Sequence, residues 1–112
     1  MTLAQITKLL GRFPGLETST SYGTPAFRVR KKLLLRMHPS EPAAVLRISC
    51  LDEQEALIAM DSKTFYITSH YEGHPFVLAR LSKVKSRQLL EIVEASWRQA
   101  ASKRQISEFD ET

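Results

Sequence analysis

From residue 25 to residue 38 apolar and basic side chains alternate. Phe27, Val29, Leu33, Leu35 and Met37 share one parity, Arg28, Arg30 and Arg36 the other, and Lys31 and Lys32 fall between the two runs. Period-two alternation marks half-buried strands, so the pattern predicts a β-hairpin over 25–30 and 33–38, with an apolar core face, a cationic outer face and the lysines at its tip. Pro39 and Pro42 bracket the next turn, and a third strand over 45–50 directs Leu46, Ile48 and Cys50 inward and Arg47 outward. Residues 64–68 and 76–81 predict two more strands, joined by the loop 69–75.

Helical spacing occupies the remainder. Thr2 and Gln5 form a capping box before the stripe Leu3, Ile6, Leu9 and Leu10, and Phe13-Pro14-Gly15 ends that helix. A loop containing Ser19 to Thr24 leads from it to the first strand. Asp52 and Glu55 are placed to cap a second helix reaching about Asp61, and Leu89, Val93, Trp97 and Ala100 line a last helix over 86–103. The order α-β-β-β-α-β-β-α predicts an α+β fold, a five-stranded antiparallel sheet with helices on one face. Phe27, Leu35, Ile48, Ile67, Leu78, Leu89, Val93 and Trp97 are expected in its core.

At 112 residues the chain can bury roughly two thirds of its unfolded surface around one core and is too short for two. Hydrophobic and charged fractions of 43% and 25% are those of a folded globule and exclude a disordered chain. No apolar run approaches the roughly 20 residues of a membrane span, and no signal-peptide pattern opens the sequence, so a cytoplasmic protein without membrane contact is expected. The lone Cys50 has no disulfide partner and is expected to pack in the core.

The net charge of +4 matters less than its distribution. Residues 28–36 carry Arg28, Arg30, Lys31, Lys32 and Arg36 without an acid, and residues 80–87 carry Arg80, Lys83, Lys85 and Arg87 without one. Acids gather at Asp52, Glu53 and Glu55, where a helix dipole favours them, and at Glu108, Asp110 and Glu111. The organisation expected is one domain over 1–104 and a flexible acidic tail over 105–112.

A sheet face bearing Arg28, Arg30, Arg36 and Arg47, flanked by Lys31, Lys32 and Lys83 at turns, suits the phosphates of double-stranded DNA. Tyr66, on the matching parity, would stack on a base. The same alternation also describes a solvated face whose charges discourage edge pairing, and an acidic protein, self-association or a small anion are further partners it would serve. Tyr22, His70, Tyr71 and Arg80 make a candidate pocket beneath the loop 69–75; the competing reading is that His70 and Tyr71 pin that loop by hydrogen bonds.

His70 and His74 stand at i and i+4, which brings ligands together only on a helix, and Gly73 and Pro75 make this segment a loop. No metal is therefore expected. Ser19, Thr20 and Ser21 lack a neighbouring base, and neither a phosphate loop nor a dinucleotide fingerprint occurs. The residues thus point to no catalytic group, no cofactor and no enzymatic activity. Trp97 reads as a core anchor.

The segment Tyr22-Gly23-Thr24-Pro25-Ala26-Phe27, the strand-loop-strand from Tyr66 through His70, Tyr71 and His74 to Leu81, and Trp97-Arg98 together resemble the MmcQ/YjbR-like family. The resemblance runs from about Leu9 to Lys103. It implies an α+β fold similar to type III secretion chaperones and a role in DNA binding through a double wing, here the hairpin at Arg30 to Leu33 and the basic loop near Lys83. It supplies no catalytic residues. Many members carry an Asn- or Lys-rich segment ending in Trp where this chain has Glu72 to Phe76. The alternative function is a protein-interaction or chaperone-like module, for example a homodimer, with no nucleic-acid role.

Overall fold

The computed structural model describes residues 1–111. Helix α1 (Leu3–Leu10) precedes four consecutive strands, β1 (Leu16–Ser21), β2 (Thr24–Val29), β3 (Lys32–Met37) and β4 (Ala43–Arg47). Helix α2 (Leu51–Met60), β5 (Phe65–Tyr66), a short 3-10 turn at Ser69–Tyr71, β6 (Phe76–Arg80), α3 (Ser86–Ala100) and α4 (Lys103–Asp110) follow. The strands form one antiparallel sheet in the order β1-β2-β3-β4-β6-β5.

The sheet thus has six strands where the pattern predicts five. The extra strand, β1, falls in the segment read as a loop. Its Glu17, Thr18, Ser19 and Thr20 are all exposed, because an edge strand needs to bury little, and without an apolar parity it leaves no periodic signal. Backbone pairing with β2, from Leu16↔Val29 to Ser21↔Thr24, holds it in place.

Alternation in the second hairpin strand is interrupted. Phe27 pairs with Leu35 but Arg28 pairs with Leu33, so Leu34 is the extra residue of a β-bulge. Leu34 and Leu35 are both fully buried in the helix-side core, whereas Leu33, expected there, is only half-buried. The bulge shifts the parity of β3: Lys32, opposite the buried Val29, lies on the helix side, and Arg36, opposite Ala26, lies on the other.

The core joins this sheet face to α1 and α3. Ile6, Leu10, Phe27, Val29, Ala44, Leu46, Ile48, Leu89, Val93 and Trp97 belong to it. The capping box of Thr2 and Gln5 forms as the sequence predicts. Neither Asp52 nor Glu55 caps α2, however: its N-cap is Cys50, exposed rather than buried because the chain has already left the sheet after Arg47. The carboxylate of Glu53 instead accepts hydrogen bonds from the backbone and hydroxyl of Ser49.

The expected acidic tail is also corrected. The last helix stops at Ala100, and Ser102 and Gln105 form a new capping box that starts α4. Phe109 from α4 packs at 5.4 Å from Phe13 and 5.0 Å from Trp97, completing an aromatic triad, while the Trp97 Nε1–H donates to Pro14 O at 3.0 Å. Arg98 grips Asp110 with two guanidinium nitrogens, at 3.1 and 2.6 Å, and Glu94 with Nε at 3.0 Å. At Gly15, with φ +75°, a Cβ would sit 2.2 Å from the Gln105 side chain, so glycine permits both the turn and the seating of α4.

On the opposite face a smaller apolar cluster joins Ala43, Val45, Leu78 and Tyr71, with Tyr66, Ile67 and Phe76 against it. Leu78, expected on the helix side, belongs here because it pairs with Val45. The segment 67–75 folds over this cluster. Its main anchor is Gln54, 6% exposed, whose Nε2 lies 3.4, 3.0 and 2.8 Å from the carbonyls of Tyr71, His74 and Phe76. His70 is exposed, its ring edge-on to Tyr71 at 4.9 Å.

Gln54→Leu removes the donor these carbonyls share and is expected to cost about 2 kcal/mol in urea unfolding, with faster amide exchange over 69–76. A change below about 0.5 kcal/mol would mean the segment is held by Tyr71 alone. Phe109→Ala is expected to lower stability by roughly 2 kcal/mol and to shift Trp97 emission, the half-burial of the ring keeping the loss below that of a core phenylalanine. Arg98 holds the Asp110 carboxyl below the ordinary carboxylate range by hydrogen bonding. A depressed folded-state pKa contributes stability above the unfolded value, near 4, that is lost as pH falls through the folded one. Trp97 emission should therefore shift only below about pH 4 in the native chain, and Asp110→Asn should show the shifted emission at neutral pH. Wild-type emission in that variant would detach the ion pair from α4 docking.

Candidate functional site

Three adjacent strands each place one arginine on the sheet face away from α1 and α3. Arg28 on β2 follows Ala26, Arg36 on β3 pairs with Ala26, and Arg47 on β4 follows Val45, the partner of Arg36. Each guanidinium is oriented by an uncharged group. Arg28 Nε lies 3.2 Å from Ser19 Oγ and its Nη1 donates to Lys31 O at 3.4 Å. Arg36 Nη2 donates to the Tyr71 hydroxyl, with the guanidinium 6.0 Å from that ring's centroid. Arg47 lies 5.9 Å from the Phe76 ring centroid. Among the described residues none of the three forms an ion pair, although Glu17 stands opposite Arg28 in the β1–β2 register.

The other predicted basic residues separate. Arg30 and Lys31 form the two-residue turn between β2 and β3, both in the left-handed region with φ of 50° and 69°. Side chains other than glycine pay roughly 1–2 kcal/mol for that conformation, and the turn type matches the strands' twist. Lys31 projects at the exposed tip, whereas Arg30 Nη1 turns to Ala100 O, 3.3 Å away at the end of α3. Lys32 lies on the helix side. Lys83 follows Arg80, which pairs with Ala43, while the hairpin tip lies towards the Arg47–Phe76 end of the sheet. The two expected wings are therefore at opposite ends and do not make one grip.

The candidate pocket divides similarly. Tyr22, Arg36, Pro39 and His70 line an open groove of about 360 Å³, with Tyr71 bound to Arg36 beside it. Tyr22 is 93% exposed at a hairpin tip, with φ 52° followed by Gly23 at 78°. Arg80 is elsewhere: it stacks 4.1 Å from the Tyr66 centroid and donates to the carbonyls of Ser62 and Lys63, both at 3.1 Å. That contact secures the β5–β6 edge and occupies the Tyr66 ring that would have stacked on a base. Burial pushes the Tyr66 hydroxyl pKa upward.

His70 and His74 are both exposed, and among the described residues no three His, Cys, Asp or Glu side chains gather into a metal-ligand set. No helix among them is long and apolar enough to cross a membrane. The sequence reading missed Ser19 and Phe76 as groups that orient Arg28 and Arg47. Ser19 was hidden by the absence of an apolar parity in β1; Phe76 could have been found from its place at the start of a strand adjacent to β4, had the strand order been known.

Comparison with known proteins places the chain among relatives. Uncharacterized proteins of Mycobacterium tuberculosis and Mycobacterium bovis are 32% identical over 71 residues, which covers 63% of this chain and 55% of theirs. The chain spans about half the length of these curated relatives. The crystal structure of Deinococcus radiodurans protein DR2400, a DUF419 domain, superposes with a TM-score of 0.74 at 14% identity, over 97% of this chain and 88% of that one. This likeness establishes the α+β fold. The YjbR family model matches residues 11–99, from the end of α1 almost to the end of α3, and the chain therefore belongs to the YjbR family.

Proposed function

We propose that the chain binds double-stranded DNA without catalysing a reaction, and that Arg28, Arg36, Arg47 and Lys31 contact backbone phosphates. The observation carrying this reading is the contrast between two sets of arginines. Arg87 and Arg98 are matched to carboxylates, of Glu91, Glu94 and Asp110, so their charge is spent within the fold. Arg28, Arg36 and Arg47 are aimed by hydroxyls, a carbonyl and an aromatic ring, which orient a guanidinium without cancelling its charge. Such a face attracts a polyanion and leaves the arginines' counter-charge to be supplied by phosphates. Contacts of this kind position a protein on the duplex and carry little sequence information.

Four phosphate contacts predict a log-log salt slope near −3.6, so duplex affinity should fall roughly 100-fold between about 50 and 200 mM salt. Lys31→Gly combined with Arg47→Ala should reduce the magnitude of that slope by about 2, equally for unrelated duplexes. Glycine suits the left-handed position, so the first change should not weaken folding. Absence of duplex binding at low salt, or an unchanged slope in the variant, would overturn the reading and favour the protein-interaction module instead.

A further inference from the structure

Beyond the polyanion surface, we propose that the cleft lined by Lys32, Arg47, Ser96, Gln99 and Ala100 is a binding site for a single phosphate group, that of inorganic phosphate or a small phosphate monoester. The cleft exists because β3 and β4 pair only from Leu35↔Leu46 to Met37↔Ala44. Past the bulge at Leu34 the two strands part, and α3 floors the gap with Ser96, Gln99 and Ala100. Its volume of about 170 Å³ is below the roughly 300–1,000 Å³ of sites that enclose a drug-sized molecule, so it suits an anionic head with the remainder of the ligand in solvent.

Lys32, Ser96 and Gln99 supply an ammonium, a hydroxyl and a carboxamide from the helix side, Arg47 borders the cleft where β4 has lost its β3 partner, and no acidic side chain belongs to the lining. Neither Lys32 nor Arg47 forms an ion pair among the described residues. Two cations match the two negative charges of a phosphate monoester better than the single charge of a diester.

Ser96 points independently to a ligand. It is only 3% exposed, yet its hydroxyl makes no hydrogen bond among the described residues, and the access it retains is to this cleft. A hydroxyl on so enclosed a residue ordinarily has a protein partner, and this one is left only the cleft, where it can donate to an acceptor. The C-terminal end of α3 opposes an anion through its partial negative charge. Arg30 counters that effect by donating to Ala100 O at 3.3 Å, which adds a third positive charge beside the cleft.

The test is titration of the full chain, at constant ionic strength set with chloride, by inorganic phosphate, glycerol phosphate and dimethyl phosphate, followed by the backbone amide NMR signals of residues 32, 47, 96 and 99. Saturable shifts are expected with the first two and at least tenfold weaker ones with the diester. The relative affinities of phosphate and glycerol phosphate identify which source the cleft accepts better. Ser96→Ala and Lys32→Met should each weaken phosphate binding about tenfold. Ser96→Ala should also leave the melting temperature unchanged or raised, since alanine favours the helix and no internal partner is lost.

Equal shifts with chloride alone, equal affinity for the diester, or wild-type phosphate binding in Ser96→Ala would overturn the site. A lowered melting temperature in that variant would too, because it would reveal an internal partner for the hydroxyl. Duplex affinity and its salt slope should be unaltered by Ser96→Ala. Loss of phosphate binding there with retained duplex binding bears on the cleft alone, and intact phosphate binding without duplex affinity overturns only the polyanion surface.

Discussion

One extra residue in β3 governs what both faces of the sheet present. The bulge at Leu34 sends two consecutive leucines into the helix-side core and exchanges the sides of everything beyond it. Arg36 keeps its place on the face that carries Arg28 and Arg47, while Lys32 falls out of register with it and is turned towards α3. A regular strand with Leu35 in the core would leave Lys32 and Leu34 on the open face beside Arg36 and turn Leu33 inward in place of Leu34. The bulge instead buries Leu34 beside Leu35, both 0% exposed, so it and the apolar Leu33-Leu34-Leu35 run are mutually dependent.

The same departure from regular pairing leaves β3 unpaired with β4 before Leu35, where the cleft over α3 opens. Two kinds of cationic surface therefore derive from one backbone irregularity. On the open face the arginines are spread across three strands and steadied by Ser19, Tyr71 and Phe76. At the cleft Lys32 and Arg47 stand beside the enclosed Ser96. Spread charge suits a polymer with repeating phosphates, whereas convergent charge suits one compact anion. Segment 67–75 separates the open face from an apolar remainder, with Tyr71 serving both: its ring packs beside Val45 and Leu78, and its hydroxyl receives Arg36.

The C-terminal helix shows how a weakly hydrophobic segment can still be held by tertiary structure. Only Ile106 and Phe109 of α4 pack against the core, and the helix is too short to persist alone in water. Its capping box, the aromatic triad with Phe13 and Trp97 and the two-point grip of Arg98 on Asp110 together hold it. It lies beyond residue 99, where the match to the family ends, and it shields the tryptophan that anchors α3.

Periodicity in the sequence by itself determined the elements that have a buried face: α1 with its capping box, β2, β3, β4 and β6, and α3 around Leu89, Val93 and Trp97. It also marked out the arginines of the first hairpin, while the family came from the resemblance of the motifs at Tyr22 to Phe27, Tyr66 to Leu81 and Trp97-Arg98. Only the tertiary structure decided the rest. An edge strand such as β1 carries no apolar parity, a single bulge at Leu34 inverts parity without changing composition, and α4 acquires its partners from Phe13 and Trp97, far away in sequence or across a turn. The roles of Gln54 and Ser96 were invisible for the same reason: whether a polar side chain anchors three carbonyls or stands unpartnered in a cleft depends on which distant backbone and side-chain atoms the folded chain brings within hydrogen-bonding reach.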